Sequence, residues 1–252
     1  MNNITLITGA TSGIGKACAI YFAKNKHDLI ITGRRKERLQ KLAAELEKEY
    51  LIQVLPLAFD IREREATEHA ISSLEGKWKN IEILVNNAGL ASGLNTVQDG
   101  LIDDWERMID TNIKGLLYMS RAVLPLMIGN GKGHVINIGS IAGKEVYPNG
   151  NVYCATKFAV DALTKGMRID LVKHGIKVTQ IAPGAVETEF SNVRFHGDIE
   201  RAAVVYKGYQ PLRPEDVAEV VYYATTLPKH VNINDLVLMP TAQASAVIMH
   251  KE

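Results

Sequence analysis

Short, continuously apolar runs recur along the chain and alternate with stretches in which apolar residues have helical spacing. The apolar runs cover residues 4–8, 28–32, 53–57, 81–85, 134–138, 177–181 and 236–239. Runs that lack polar alternation are typical of strands buried on both faces of a parallel sheet. The pattern therefore predicts a parallel sheet of about seven strands.

Helical spacing fills the intervals between these runs. Three leucines lie on one face of a predicted helix over residues 38–48, and longer helices are predicted over residues 105–128 and 153–173. Strands that alternate with helices form a doubly wound α/β fold with right-handed crossovers.

One segment departs from this regularity. Residues 187–211 are polar and weakly periodic, which predicts a mobile substrate lid. No repeat, low-complexity tract or linker divides the chain, so we expect a single domain over residues 1–252.

Composition narrows the class of protein. A chain of 252 residues with 46% hydrophobic content suits one well-buried domain, and a formal charge of +1 gives no case for nucleic acid or an anionic membrane as partner. No apolar run approaches the ~20 residues that span a bilayer, and no signal core is evident, so we expect a cytoplasmic protein. The two cysteines and seven histidines show no metal-ligand spacing, and no metal site is predicted.

A glycine-rich turn follows the first predicted strand and opens a helix. Gly9 permits a tight turn, Gly13 allows the backbone to approach a pyrophosphate, and Gly15 lets the helix pack on the sheet. Amides at a helix N-terminus bind phosphates. The spacing is Gly-x-x-x-Gly-x-Gly rather than Gly-x-Gly-x-x-Gly, yet its position between strand and helix predicts a nucleotide site. The predicted cofactor-binding residues of this turn are Gly9, Thr11, Ser12, Gly13, Ile14 and Gly15.

The end of the second strand indicates which cofactor binds. An acidic residue about 20 positions past the glycine turn is typical of NAD sites, whereas arginine accommodates a 2′-phosphate. This chain has Arg34 and Arg35 there, with no carboxylate between Leu29 and Lys36. Guanidinium groups bind phosphate in a bidentate manner, so the sequence predicts NADP. The alternative is that Arg34 and Arg35 lie solvated in a surface loop and bind no phosphate.

Ser140, Tyr153 and Lys157 together supply proton-transfer chemistry for an alcohol or a carbonyl. Tyr153 and Lys157 are four residues apart on a predicted helix and share a face. A free phenol has a pKa of about 10, and a nearby ammonium favours its ionised form. We therefore expect Lys157 to lower the pKa of Tyr153, while Ser140 hydrogen-bonds the substrate oxygen.

These motifs, in this order, resemble those of the short-chain dehydrogenase/reductase family, and the resemblance covers nearly the whole chain. Asn86-Asn87-Ala88-Gly89, Asn112 and Pro183-Gly184 complete the match. The resemblance implies a Rossmann-type fold, a nicotinamide dinucleotide and a homotetramer formed through the long helices. It also implies a catalytic tetrad of Asn112, Ser140, Tyr153 and Lys157. In this tetrad Asn112 would organise a water that connects Lys157 to solvent.

The same resemblance implies further cofactor contacts, to adenine, to the centre of the cofactor and to the nicotinamide, and Tyr153 and Lys157 would also contact the cofactor. The additional positions are Asp60, Ile61, Asn87, Ala88, Gly89, Pro183, Gly184, Val186 and Thr188. Three alternatives remain open. Asp60 could be a helix N-cap, Asn87 could tie neighbouring strands together, and the Pro183-Gly184 pair could be only a turn.

The segments around the predicted lid and the C-terminus resemble the NADP-dependent 3-hydroxy acid dehydrogenase branch of the family. That branch acts on serine, allo-threonine and 3-hydroxypropionate or its semialdehyde. The predicted substrate-binding residues are Ser140, Tyr153 and Arg194, because a guanidinium in a closing lid can hold a carboxylate. The alternative for Arg194 is a surface ion pair with Asp198 or Glu200.

The sequence thus predicts an NADP-dependent oxidoreductase that transfers a hydride to or from C3 of a small 3-hydroxy acid. A β-ketoacyl thioester reductase, or another short-chain carbonyl reductase, would share the cofactor and tetrad residues. A non-catalytic protein that senses NADP is an alternative of another class, since a fold does not dictate function.

Overall fold

A computed structural model describes residues 2–252 and contains a seven-stranded sheet. The strands are β1 Ile4–Ile7, β2 Asp28–Gly33, β3 Val54–Ala58, β4 Ile81–Asn86, β5 His134–Ile138, β6 Lys177–Pro183 and β7 Asp235–Leu238. All neighbouring pairs are parallel, in the order β3-β2-β1-β4-β5-β6-β7. The predicted sheet is confirmed, because continuous apolar runs mark strands that are covered on both faces.

The helices cover both faces of the sheet. They are α1 Gly13–Lys24, α2 Lys36–Tyr50, α3 Arg64–Ser72, α4 Ile102–Ile109, α5 Leu116–Gly129, α6 Asn151–Leu171, α7 Phe190–Arg194, α8 Ile199–Val205 and α9 Pro214–Thr226. The helix predicted over residues 105–128 is divided, since Asp110–Gly115 forms a π-helical segment between α4 and α5. No helix within residues 2–252 is long and apolar enough to cross a membrane.

Two apolar cores lie on opposite faces of the sheet. Ile7 and Phe22 belong to the core beneath α1, α2 and α9, whereas Leu6 and Met119 belong to the core beneath α3, α5 and α6. Adjacent residues of β1 thus point into different cores, which explains why the strand has no polar face. Full burial of such side chains contributes about 1.5–3 kcal/mol each.

The strand order places a crevice beside β1. The connections that leave β1 and β3 run to opposite sides of the sheet, so the carboxyl ends of β1 and β4 face a topological switch point. The glycine turn follows β1, Asn87 follows β4, Ser140 follows β5, and Gly184 follows β6. The fold therefore gathers the predicted site residues at one edge of the sheet.

Candidate active site

The glycine turn is shaped by close backbone contacts. Gly9 and Gly13 have φ angles of 69° and 53°, in the left-handed region that favours glycine. A Cβ atom on Gly15 would lie 2.4 Å from Asn87 Nδ2 and 2.4 Å from the Gly9 carbonyl oxygen. The turn borders a cavity of about 530 Å³. All the predicted cofactor residues except Gly15, which lies beneath the turn, line this cavity.

Asn87 ties the glycine turn to the end of β4, as the structural alternative proposed. Its Nδ2 atom donates to the Thr8 carbonyl oxygen at 2.8 Å, and the amides of Asn87 and Ala88 donate to Thr8 Oγ1 at 3.0 and 2.9 Å. Asn87 also lines the cavity, so the strand tie and a cofactor contact are compatible. Sequence analysis did not predict that Thr8 would accept these hydrogen bonds.

Ser140, Tyr153 and Lys157 meet on one wall of this cavity. Lys157 Nζ donates to the Ile138 carbonyl oxygen at 2.9 Å and lies 6.0 Å from the centroid of the Tyr153 ring. Ser140 Oγ accepts a hydrogen bond from the Ala142 amide at 3.1 Å. The turn after β5 thus orients the serine, and α6 orients the other two.

Burial determines how these groups ionise. It raises the pKa of the Tyr153 hydroxyl, and Tyr147 adds to this, while Arg194 and hydrogen bonding with Ser140 act in the opposite direction. Arg194 is a further cation beside the phenol, and the expected lowering of the Tyr153 pKa by Lys157 stays a prediction. Burial also lowers the pKa of Lys157 to about 8.

Asn112 lies within the π-helical segment, a kind of irregularity that is frequent at functional sites. Its Oδ1 atom accepts from the Leu90 amide at 2.8 Å, and its Nδ2 atom donates to the Leu90 carbonyl oxygen at 2.8 Å and to Thr156 Oγ1 at 3.0 Å. A Cβ atom on Gly89 would lie 3.2 Å from Asn112 Oδ1 and 3.7 Å from Lys157 Nζ. Asn112 thus links the segment after β4 to α6 by hydrogen bonds. Asn112 and Lys157 both lie next to Gly89.

Arg34 and Arg35 line the cavity at the end predicted to hold the 2′-phosphate, and Arg38 lies beside them without lining it. Arg34 lies 3.8 Å from an Asp60 carboxylate oxygen. Arg35 donates to Thr11 Oγ1 at 2.7 Å and contacts Glu189 of the lid, and Arg38 of α2 contacts the same carboxylate. Arg38 was missed because it fits the amphipathic pattern of an ordinary surface helix.

Asp60 holds an arginine rather than capping a helix. Arg62 Nη2 lies 2.7 Å from its carboxylate, and the N-cap residue of α3 is Glu63, so the N-cap alternative is not observed. Burial acts to raise the pKa of Asp60, but hydrogen bonds from Arg62 outweigh it and lower the pKa. Ile61 is buried beside Asp60, and both residues line the cavity.

The turn after β6 packs tightly against the C-terminal segment. A Cβ atom on Gly184 would lie 2.5 Å from Gln243 Oε1, which accepts from the Ala185 amide at 2.8 Å. Thr188 faces the glycine turn, with its Cγ2 atom 3.3 Å from the Cβ position of Gly13. Gln243 was missed by sequence analysis, since a single glutamine outside any motif carries no signal.

Arg194 points into the cavity. Its guanidinium carbon lies 5.2 Å from the ring centroid of Tyr153, 5.5 Å from that of Tyr147 and 5.7 Å from that of Phe190. It donates to the Tyr147 hydroxyl, and its Nε atom is buried without a hydrogen-bond partner among residues 2–252.

The surface alternative for Arg194 is not observed. Asp198 instead caps α8 by accepting from the Arg201 amide at 2.9 Å. In the part of the chain that the structure describes, Arg194 forms no ion pair with Asp198 or Glu200. Tyr147 and Phe190, which sequence analysis did not single out, hold the guanidinium beside Tyr153.

Comparison with known proteins identifies the family. The profile described as short chain dehydrogenase matches residues 3–198. The chain is 50% identical over 244 residues to the NADP-dependent 3-hydroxy acid dehydrogenase YdfG of Escherichia coli (strain K12), covering 96% of this chain and 97% of that protein. It is 46% identical over 245 residues to sulfoacetaldehyde reductase 2 of Chromohalobacter salexigens, covering 97% and 96%. The chain therefore belongs to the short chain dehydrogenase family.

A solved structure shares the whole fold. The closed form of serine dehydrogenase complexed with NADP+ superimposes with a TM-score of 0.92 at 48% identity, covering 99% of this chain and 100% of that chain. The predicted family and Rossmann-type single-domain fold are confirmed.

Proposed function

We propose that this protein is an NADP-dependent oxidoreductase that transfers a hydride between the nicotinamide and C3 of a small 3-hydroxy acid or 3-oxo acid. The observation that carries the proposal is the position of Arg194, whose guanidinium lies beside Tyr153 within the cofactor cavity. A carboxylate two bonds from the reacting carbon needs a cation at such a short distance. The dehydrogenase named for 3-hydroxy acids and the serine dehydrogenase support this substrate class.

The cavity has the features that a phosphorylated dinucleotide requires. The glycine turn packs so tightly that side chains at Gly9 and Gly15 would collide with Ala88, Asn87 or the turn itself. Its bare backbone lets a pyrophosphate approach closely. Arg34 and Arg35 supply guanidinium groups for a 2′-phosphate. Bound NADP supplies the hydride acceptor, and the chain supplies position and electrostatics.

The tetrad residues move the proton. In oxidation, Tyr153 removes the hydroxyl proton while Ser140 hydrogen-bonds the same oxygen and Arg194 holds the carboxylate. Lys157 would hold the cofactor ribose, and Asn112 would organise a water that connects Lys157 to solvent for proton relay. Burial raises the pKa of Tyr153 and favours its protonated form, and it acts more strongly than Arg194 and hydrogen bonding with Ser140, which act to lower the pKa and favour the base form that oxidation needs. Tyr153 is therefore ready to donate a proton when a 3-oxo acid is reduced.

Initial rates on a substrate panel test this proposal. The panel contains both serine enantiomers, allo-threonine, 3-hydroxypropionate, a β-hydroxyacyl thioester, a neutral secondary alcohol and 2-hydroxyethanesulfonate, each with NADP and with NAD. We expect the hydroxy acids to be oxidised with NADP, and Tyr153→Phe to lower kcat by about 10²–10⁴-fold, the usual contribution of general acid–base catalysis. Circular dichroism and the urea denaturation midpoint of the variant provide the control for folding.

Other outcomes support the alternatives. Turnover of the thioester alone would indicate a β-ketoacyl thioester reductase. Turnover of the neutral alcohol alone would show that Arg194 does not bind a substrate carboxylate. NADP binding without turnover of any compound would indicate a sensing protein. Oxidation of the sulfonate would show that the anion site accepts a tetrahedral group, as the reductase named for sulfoacetaldehyde suggests.

We also propose that the enzyme is a cytoplasmic homotetramer. Apolar side chains are exposed on the long helix α6 and just after it, with Phe158 at 41%, Ile169 at 74% and Val172 at 71%. An exposed apolar stripe of this kind favours an interface between subunits. Both cysteines are buried and free, as is usual in a reducing compartment. Light scattering of the purified protein measures the subunit number directly.

A further inference from the structure

The buried carboxylate of Asp104 takes no part in the reaction proposed above. Asp104 occupies the third position of α4, where the helix N-terminus stabilises a negative charge, and it is only 8% exposed. Its Oδ1 atom accepts from Ser92 Oγ at 2.6 Å, and its Oδ2 atom lies 3.2 Å from His196 Nε2. One carboxylate thus joins the loop between β4 and α4 to the lid.

A backbone hydrogen bond makes a second connection between this loop and the lid. The Gly93 amide donates to the Arg194 carbonyl oxygen at 2.9 Å. Gly93 has a φ angle of 71°, and a Cβ atom on it would lie 2.8 Å from Asp104 Oδ2. Glycine therefore lets the loop turn beside the carboxylate. The loop holds the backbone of the residue whose guanidinium enters the cavity.

Apolar contacts hold α7 against the same loop. Phe190 packs on a buried cluster that contains Leu90 of the loop and Met108 of α4. The Phe190 and Tyr153 rings are 5.6 Å apart. Apolar contacts are not directional, whereas hydrogen bonds require defined distances and angles. The contacts of Asp104 can therefore fix the end of α7 more closely than the apolar cluster does.

We propose that Asp104 is a positioning residue that holds Arg194 in place for the substrate carboxylate. The inference rests on the substrate-binding role that the proposed function gives to Arg194. Ser92 fixes the carboxylate of Asp104 on the loop, and His196 carries the contact to the lid two residues beyond Arg194. Position matters here because a shift of about 1 Å in a group that orients the substrate can lower the rate about 10²-fold.

The two contacts of Asp104 differ in strength. Ser92 is buried, and a short hydrogen bond from a hydroxyl to a carboxylate is charge-assisted and strong. The His196 side chain is 51% exposed, and exposed pairs contribute little. Removal of the carboxylate should therefore have a larger effect than removal of the imidazole, since it also leaves the buried Ser92 hydroxyl without its partner.

Steady-state kinetics with NADP on a 3-hydroxy acid and on a neutral secondary alcohol isolates the positioning role. We expect Asp104→Ala to lower kcat/KM for the acid about 10- to 100-fold and for the alcohol less than about 3-fold. NADP affinity should not change. Asp103→Ala is the matched control, because Asp103 is an exposed neighbour on α4 and forms no ion pair in the described chain. The urea denaturation midpoint of each variant measures its folding.

His196→Asn tests the lid side of the contact separately. Asparagine tolerates the left-handed backbone of His196, whose φ angle is 54°, but its shorter side chain does not reach the position of Nε2. Because the pair is exposed, we expect kcat/KM for the acid to fall only about 2- to 5-fold, again with a smaller change for the alcohol.

An unchanged ratio of acid to alcohol kcat/KM in Asp104→Ala would overturn the proposal, whether both values fall together or neither falls. An equal shift of this ratio in Asp103→Ala would also overturn it, because the effect would then belong to the charge of α4. If Asp104→Ala does not fold, the same ratio in His196→Asn decides the question.

Hydrogen exchange tests the attachment of the lid without a substrate. In the NADP-bound protein, the amides of Phe190–Arg194 should exchange about 10-fold faster in Asp104→Ala than in the unmodified protein, with no change in Asp103→Ala. Unchanged exchange in Asp104→Ala would contradict the proposal. Faster exchange in a protein that oxidises no hydroxy acid would remove the proposed function and confirm only that Asp104 attaches the lid.

Discussion

Arg194 shows what a single residue adds to a shared family site. In the proposed function, the tetrad and the glycine turn would provide oxidation of an alcohol or reduction of a carbonyl group, and a cation beside Tyr153 would select for an acid. Three aromatic rings within 5.7 Å hold the guanidinium, and cation–π contacts of this kind stabilise a cation that has lost part of its water. The same charge acts against the raised pKa of Tyr153, so we expect Arg194 to affect both substrate orientation and proton transfer.

Arg194→Lys tests this dual role, because it keeps the charge and removes the planar fork. We expect kcat/KM for 3-hydroxy acids to fall about 10- to 100-fold, since hydrogen bonds to charged groups contribute about 1.5–3 kcal/mol. The value for a neutral secondary alcohol should change much less, and steady-state kinetics on both substrates measures the difference. Arg201→Lys, which alters an arginine that stacks on Phe195 elsewhere in the lid, is the control. Equal losses on acid and alcohol would contradict a role in carboxylate binding.

Sequence patterns predicted the residue types of the site better than their contacts. Tyr153 and Lys157 share a helix face as the four-residue spacing requires, but the spacing did not predict that Lys157 bonds the end of β5 or that Arg194 lies beside the tyrosine. Arg38 and Glu189 are separated by 151 positions. Local patterns carry no information about such a pair, because the fold alone brings α2 and the lid together.

At the scale of elements, the strands were predictable and the irregular segment was not. The central strands are apolar runs that are buried on both faces, and each predicted strand agrees with the observed one to within two residues at either end. The edge strand β7 alternates between exposed and half-buried residues. The π-helical segment Asp110–Gly115 contains several weak helix formers, but nothing in its composition specifies a π-helix. Its conformation depends on tertiary contacts such as those of Asn112 with Leu90 and Thr156, which no single segment of sequence contains.

The junction of β1 and α1 tolerates no added atom at Gly15. In Gly15→Ala the new methyl group would lie 2.4 Å from Asn87 Nδ2 and from the Gly9 carbonyl oxygen, so the turn must shift. We expect NADP affinity to fall at least about 10-fold and the free energy of unfolding to fall by about 1–3 kcal/mol, the usual cost of overpacking. Fluorescence titration and urea denaturation measure the two effects.

Gly129→Ala provides the matched control for this substitution. Gly129 ends α5, and a Cβ atom there would meet nothing within 4 Å. The variant should bind NADP normally and be as stable as the unmodified protein, or more stable by up to about 1 kcal/mol, because alanine is the better helix former. Normal NADP binding by Gly15→Ala would show that the glycine turn is not the cofactor site.

At the scale of the whole molecule, a charged network connects the catalytic helix to the edge of the sheet. Lys144, which follows the Ser140 turn, lies 2.5 Å from Asp161 of α6 and 2.6 Å from Asp235 of β7. Gln180 of β6 donates to both carboxylates, at 2.9 and 3.0 Å. The helix that carries Tyr153 and Lys157 is thus fixed to two strands and to the serine turn by polar contacts outside the cavity.

The pH dependence of stability measures this network. Burial acts to raise the pKa of Asp161, but hydrogen bonds from Lys144, Lys165 and Gln180 together lower it from 3.8 to about 2. A carboxyl whose pKa is lower in the folded state stabilises the protein above its unfolded pKa, and this contribution disappears as the pH falls toward the folded value. Asp161→Asn should therefore lower the free energy of unfolding at pH 7 by about 1–2 kcal/mol, after allowance for solvent screening.

The difference between Asp161→Asn and the unmodified protein should then shrink as the pH falls from about 4 toward 2, where the native carboxyl also becomes protonated. Urea denaturation at a series of pH values gives both curves. Asp170→Asn is the control on the same helix, because Asp170 is exposed and forms no ion pair with any residue that the structure describes. A loss that stays constant down to pH 3, or an equal loss in the control, would show that the charge of Asp161 does not stabilise the attachment of α6.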